Sequence, residues 1–134
     1  MTNSSSVSRL RLVLRTGSIV FGGSALALIL VPATFNGLLG LASTPELEWA
    51  MRMIGITLVA LAGNMFSVSS RGSEASVRFS ARVMQASAFA LGVLTLLIPA
   101  TQTWFTIGYA AIGFSFSIAY TIALGFGAKA ESQQ

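Results

Sequence analysis

The chain has 134 residues, of which 54% are hydrophobic and only 9% charged, with a mean hydropathy of +0.77. A soluble domain carries about 25% charged residues, and a chain this short has too little polar surface to cover so much apolar matter, so an ordinary soluble fold is excluded and a bilayer is the fitting solvent. Cysteine, histidine and aspartate are absent, which excludes disulfides, thiolate chemistry, His or Cys metal sites and any Ser-His-Asp set; the net charge of +4 is read as helix orientation in a membrane, with no nucleic acid as partner.

The start, MTNSSSVS, is polar and Ser-rich and is expected to be a disordered tail. Arg9, Arg11 and Arg15 follow, and the segment from Thr16 to Val31 is apolar or small until Pro32. This predicts a first membrane helix over 10–31. A signal peptide is the competing reading, with Gly40-Leu41-Ala42 as a small-x-small site. The long apolar run and the Pro32 and Phe35 that follow it argue for a retained helix. PATFNGLLGLASTPELE is expected to be a loop with a turn at Asn36-Gly37. In it, Phe35, Leu38, Leu39 and Leu41 lie on the membrane surface or cap the bundle.

The second helix is predicted over 45–68. Thr44 is a suitable N-cap, Pro45 suits the first helical position, and Glu46 and Glu48 complement the helix dipole in the first turn. SVSSRGSEAS (67–76) reads as a polar turn, the third helix spans 77–98, TQT is a tight connection, and the fourth helix spans 103–127 before a polar tail. Each helix has about the 20 residues needed to span, provided that Arg11, Arg15, Arg78 and Arg82 extend their long side chains to the headgroups.

The expected fold is therefore an all-α integral membrane four-helix bundle, one domain over 1–134. Arg9, Arg11, Arg15, Arg71, Arg78, Arg82 and Lys129 fall on one side, and Trp49 and Trp104 fall at the other interface. By the positive-inside rule both termini are cytoplasmic, in a multi-pass protein of the bacterial inner membrane. The pattern R-x3-R-x16-P-A-T occurs twice, at Arg11/Arg15/Pro32 and Arg82 with Arg78 before Pro99, at an offset of 67 residues. A Trp opens the helix after each copy. This suggests tandem duplication of a two-helix unit, against the simpler reading that Arg starts and Pro stops are common helix ends. Whether Pro32 and Pro99 kink or end their helices stays open.

Three sets of residues are candidates for contact. Arg52 lies about one turn inside the second helix, four residues after Glu48, a spacing that brings the two together on the helix surface. An ionisable group in a membrane segment is a candidate contact for an anion, a lipid headgroup or a partner, and an interfacial ion pair is the plainer role. Asn64 needs a hydrogen-bond partner in hydrocarbon, and Gln85 on the third helix, at similar depth, is the expected one. On the fourth helix, Ala111, Ser115, Ala119, Ala123 and Gly127 form one four-residue ridge and Gly113, Ser117, Thr121 and Gly125 a second. Small residues at this spacing let helix backbones approach, within the bundle or across an oligomer or partner interface. Phe105, Phe114, Phe116 and Phe126 lie off these ridges, toward lipid or a pocket.

No phosphate loop and no HExxH are present, and Glu46, Glu48, Glu74 and Glu131 all fall in loops, helix ends or tails. A proton or sodium pathway uses a buried acid, so a small multidrug exporter is disfavoured, and no cofactor is expected. The run Pro32, Phe35, Leu38, Leu39, Gly40, Leu41 followed by Trp49, Arg52, Gly55 resembles the small bacterial four-helix membrane proteins grouped as DoxX-like. The resemblance covers the first half of the chain. It implies a four-helix bundle in the cytoplasmic membrane, puts Arg52 among the recurring positions, and carries the suggestion of a subunit of a membrane redox system. The expected function is non-catalytic: an accessory subunit or self-associating scaffold, with a bilayer, a membrane-protein partner or further copies as its partners. The alternative is a binder or carrier of a lipid or small apolar molecule, entering by the loop beside Arg52.

Overall fold

The computed structural model describes residues 2–131, with side-chain surroundings for 5–125, so Phe126 and Gly127 lie outside the latter. The described residues form helices only: α1 (Thr2–Leu30), α2 (Pro32–Leu38), α3 (Pro45–Arg71), α4 (Glu74–Leu96) and α5 (Trp104–Glu131). Four of them, over 5–30, 45–71, 74–96 and 104–125, are long and apolar enough to cross a membrane. Their outward surfaces are apolar as well, with residues such as Ile19, Phe66, Phe79 and Leu94 more than half exposed. Water would penalise such a surface and hydrocarbon accepts it.

The helices outrun the sequence expectation at the arginine end. The N-terminal segment is helical from Thr2 rather than a free tail, because Val7 and Leu10 continue the stripe of Leu14 into the core beside Val77 and Met65. The turn expected over 67–76 shrinks to Gly72 and Ser73. Ser73 N-caps α4 by accepting from the Ser76 amide at 3.3 Å, which is why α4 starts three residues before the apolar run. α5 likewise continues to Glu131, past the end expected at 127. At 1.5 Å per residue the four long helices measure about 35–44 Å, more than the roughly 30 Å hydrocarbon layer, so charged ends are accommodated outside it.

At the opposite end a fifth helix replaces the expected loop. Pro32 ends α1 and opens α2: Val31 leaves the helical region (φ −134°, ψ 54°) and Pro32 takes the first position of the new helix. Its missing N–H costs nothing there. Asn36-Gly37 is helical, not a turn, because Phe35 and Leu39, four apart, bury together with Leu28. The chain reverses at Gly40 instead, at φ +77°. A Cβ at Gly40 would lie 2.6 Å from the Thr101 carbonyl oxygen, so only glycine fits both the backbone and the neighbour. The second PAT triplet behaves differently: α4 ends at Leu96, and Pro99-Ala100-Thr101 forms an irregular bend. Neither proline kinks a helix: Pro32 opens α2, and Pro99 lies three residues beyond the end of α4.

α3 begins as expected. Thr44 accepts the Leu47 amide at 3.2 Å, Pro45 is first in the helix, and Glu46 and Glu48 occupy its first turn. α1 packs along α3 and α4 along α5, while α1 also lies against α5. α3 and α4 pack little against each other although only two residues join them. The α1–α3 contact is close at Gly55, where a Cβ would meet Ile29 Cγ1 at 2.7 Å and the Ala25 carbonyl oxygen at 3.1 Å. Such backbone proximity is the attractive force between helices in lipid, which offers no hydrophobic effect.

Candidate functional site

At the α2 end, Glu48 and Arg52 belong to a polar chain that ties α2 to α1 and α3. Asn36, fully buried, donates through Nδ2 to Ser43 Oγ at 3.1 Å, and Ser43 donates to Glu48 Oε1 at 3.0 Å. Glu48 Oε2 faces Arg52 Nη2 at 3.9 Å, one helical turn on, and Arg52 Nε donates to the Ile29 carbonyl oxygen at 3.4 Å. This carbonyl belongs to the last turn of α1, where carbonyls run out of helical partners and attract a cation. Arg52 is thereby used as a clasp on the end of α1. Thr103 adds a second fastening by donating to the Leu38 carbonyl, and buried Thr106 reaches the Leu39 carbonyl at 3.5 Å. Aromatic rings fill the space beneath: Phe35 meets Phe105 edge-on at 5.5 Å and Tyr109 at 5.8 Å.

Asn64 and Gln85 do not meet. Gln85 Nε2 donates to Thr121 Oγ1 at 2.6 Å, because α4 takes α5 as its neighbour and turns away from α3. Asn64 lies on the exposed face of α3 with no hydrogen-bond partner among the described residues, and the adjoining Gly63 has nothing within 4 Å of its Cβ direction. Depth along a helix was legible in the sequence, whereas direction around it depended on which helices pair.

The ridges of α5 divide between inside and outside, since i, i+4 rows slope across a helix. Gly113 lies against α4, its Cβ direction 3.0 Å from the Ala88 carbonyl oxygen and 3.2 Å from Gly92 Cα. Ser117 donates to the Gln85 carbonyl at 3.2 Å, and Thr121 holds the Gln85 amide, so this ridge is α4–α5 packing. Ala123 is buried in the core and Ala119 half-buried. Ala111 and Ser115 face outward with Gly108, and Gly125 is exposed at the other end. Phe105 stacks on Tyr109, and Phe114 covers Gly92.

A feature that sequence reasoning did not find is a cavity of about 190 Å³ below α2, walled by all five helices. Phe21, Phe35, Tyr109 and Phe116 form its aromatic lining, with Leu28, Met51, Leu58, Ala88 and Gly92 among the rest. Two wall residues that are about half exposed, Ile54 of α3 (48%) and Leu91 of α4 (44%), mark the side where α3 and α4 fail to pack; Ile112 of α5 is similarly exposed. Arg52, Glu48 and Asn64 are not part of its wall. Of the phenylalanines off the small-residue ridges, Phe116 lines the cavity and Phe105 and Phe114 do not.

At the arginine end, Arg11 donates to the Ser69 carbonyl at 2.8 Å and to the Gly72 carbonyl at 2.6 Å, and Arg15 donates to Ser70 Oγ at 3.3 Å. These contacts close the C-terminus of α3, where carbonyls lack partners. Arg78 and Arg82, at the matching places in the second R-x3-R pattern, make no hydrogen bond or ion pair among the described residues. No family model matches the chain, and no curated protein or solved structure matches it either.

Proposed function

We propose that the chain is a non-catalytic, multi-pass protein of the cytoplasmic membrane that works by lateral association, as an accessory subunit or self-associating scaffold. Asn64 carries the reading. It is a carboxamide on a membrane-length helix, exposed and without a hydrogen-bond partner among the described residues, next to a glycine with open space before it. In hydrocarbon a polar group without a hydrogen bond is costly, and across helices such groups act as glue. The outward residues Gly108, Ala111 and Ser115 of α5 offer a second face on which a helix approaches closely.

In this reading both termini are cytoplasmic, supported by the seven cations gathered at the arginine end. The duplication reading is supported by the pairing of α1 with α3 and of α4 with α5 as two hairpins. The test is the number of copies, or the protein partner, found by native mass spectrometry after extraction from native membranes. Asn64→Leu and Ser115→Phe are expected to reduce the assembly to single folded chains. An assembly unchanged by both substitutions, or a wild-type chain that is always single, would overturn the proposal.

A further inference from the structure

The cavity beneath α2 is a void that the described chain does not fill, and its chemistry specifies an occupant. Its wall is apolar and aromatic. The two hydroxyls on it are already engaged: Tyr109 donates to Ser24 Oγ at 3.1 Å and Thr95 donates to the Leu91 carbonyl at 2.7 Å. Water would find no set of polar partners here, and apolar cavities of about 150 Å³ stay dry and take a benzene-sized guest. At about 190 Å³ this one exceeds that size. An empty void forfeits the dispersion contacts of every side chain around it.

We infer that the cavity holds one acyl chain of a bilayer phospholipid, which enters sideways between Ile54 of α3 and Leu91 of α4 while its headgroup stays at the α2 end of the helices. The argument for that occupant is the position of the opening. The gap lies between two membrane-length helices that do not pack there, so whatever enters comes from the hydrocarbon layer. A flexible methylene chain matches a wall with no free hydrogen-bonding side chain, and the aromatic faces supply contact area to it. Arg52 is outside the wall, so the cavity itself selects its occupant by shape and apolarity rather than by charge. The inference shares the membrane-spanning reading proposed above but not the association, and the two fail separately.

The experiment is native mass spectrometry of the protein reconstituted in vesicles of phosphatidylethanolamine and phosphatidylglycerol and released into mild detergent. One phospholipid per chain is expected to survive activation that strips the loosely bound lipids. Leu91→Trp and Ile54→Trp, which close the opening from its exposed rim, are expected to lower that occupancy by about tenfold, equivalent to roughly 1.4 kcal/mol. Leu94→Trp, on the same helix but outside the wall, is expected to leave it intact. Circular dichroism confirms that each variant is folded. The inference is overturned by a folded wild-type chain that retains no lipid, by equal retention in the plugged variants, or by a recurring guest mass that is not a phospholipid. Copy number is read from the same spectra, so loss of assembly with lipid retained counts against the association alone.

Discussion

Arg11 and Gly72 lie 61 positions apart in the chain, yet the guanidinium of the first donates to the carbonyl of the second at 2.6 Å while also holding Ser69. One side chain thus caps α3 from α1 and fixes the start of the turn into α4. Charge-assisted bonds to otherwise unpaired carbonyls are among the stronger polar contacts. Replacing Arg11 by Leu is expected to destabilise the fold by about 1.5–3 kcal/mol, read as a lower melting temperature by intrinsic tryptophan fluorescence in detergent. Arg78→Leu, the matching position without a hydrogen bond or ion pair among the described residues, serves as the comparison and is expected to shift melting little. Equal losses for the two would refute the capping role.

Gly40→Ala is expected to be costly for two reasons that coincide. The residue sits at φ +77°, where a side chain costs about 1–2 kcal/mol, and its Cβ would press on the Thr101 carbonyl oxygen. Gly37→Ala, inside α2 with open space around it, is expected to gain up to about 1 kcal/mol from helix propensity. Thermal melts of the two variants should move in opposite directions.

Gly113→Val tests the α4–α5 contact. The added atoms meet the Ala88 carbonyl and Gly92, so the helices must separate, at about 1–3 kcal/mol. Gly108→Val, on the same helix with nothing within 4 Å, should leave the melting temperature of the single chain within about 1 kcal/mol of the wild type. A comparable loss at both positions would show that α5 packs in another rotation.

Tyr120 is buried with its hydroxyl lacking a hydrogen-bond partner among the described residues. Removing an unsatisfied buried hydroxyl relieves a penalty of about 1–3 kcal/mol. Tyr120→Phe keeps the ring in the core cluster with Leu14, Met65 and Met84, and should melt at the same temperature or higher. A marked loss would reveal a bound water or other partner for that hydroxyl.

Much of the architecture was legible in the sequence because membrane helices declare themselves by length, apolarity and flanking charge. Thr44-Pro45 with Glu46 and Glu48 marked the start of α3 because the cap, the proline and the acids all act locally. α2 was not legible: Asn36-Gly37 is a local turn signal, and it was overridden by burial of Phe35 and Leu39 against Leu28 from another helix. The Asn64–Gln85 pairing failed for the same kind of reason. Each residue's depth follows from its number, but its partner follows from packing between distant segments. The Glu48–Arg52 pair was readable from spacing, whereas the reach of Arg52 to Ile29 required the α1–α3 interface. The cavity was least legible, being a property of what α3 and α4 do not touch.

The separation of α3 from α4 also bears on how the protein is made. The two largest helix contacts join spans that are consecutive in synthesis, α1 with α3 and α4 with α5. On the membrane-spanning reading proposed above, each pair has its largest contact available once its second span is made, without the rest of the chain. Arg11 of the first pair holds the carbonyls at the end of α3, and the two-residue Gly72-Ser73 joint leads into the second pair. What remains between the two halves is the smaller contact of α5 along α1, so the fold asks for one long-range encounter rather than several.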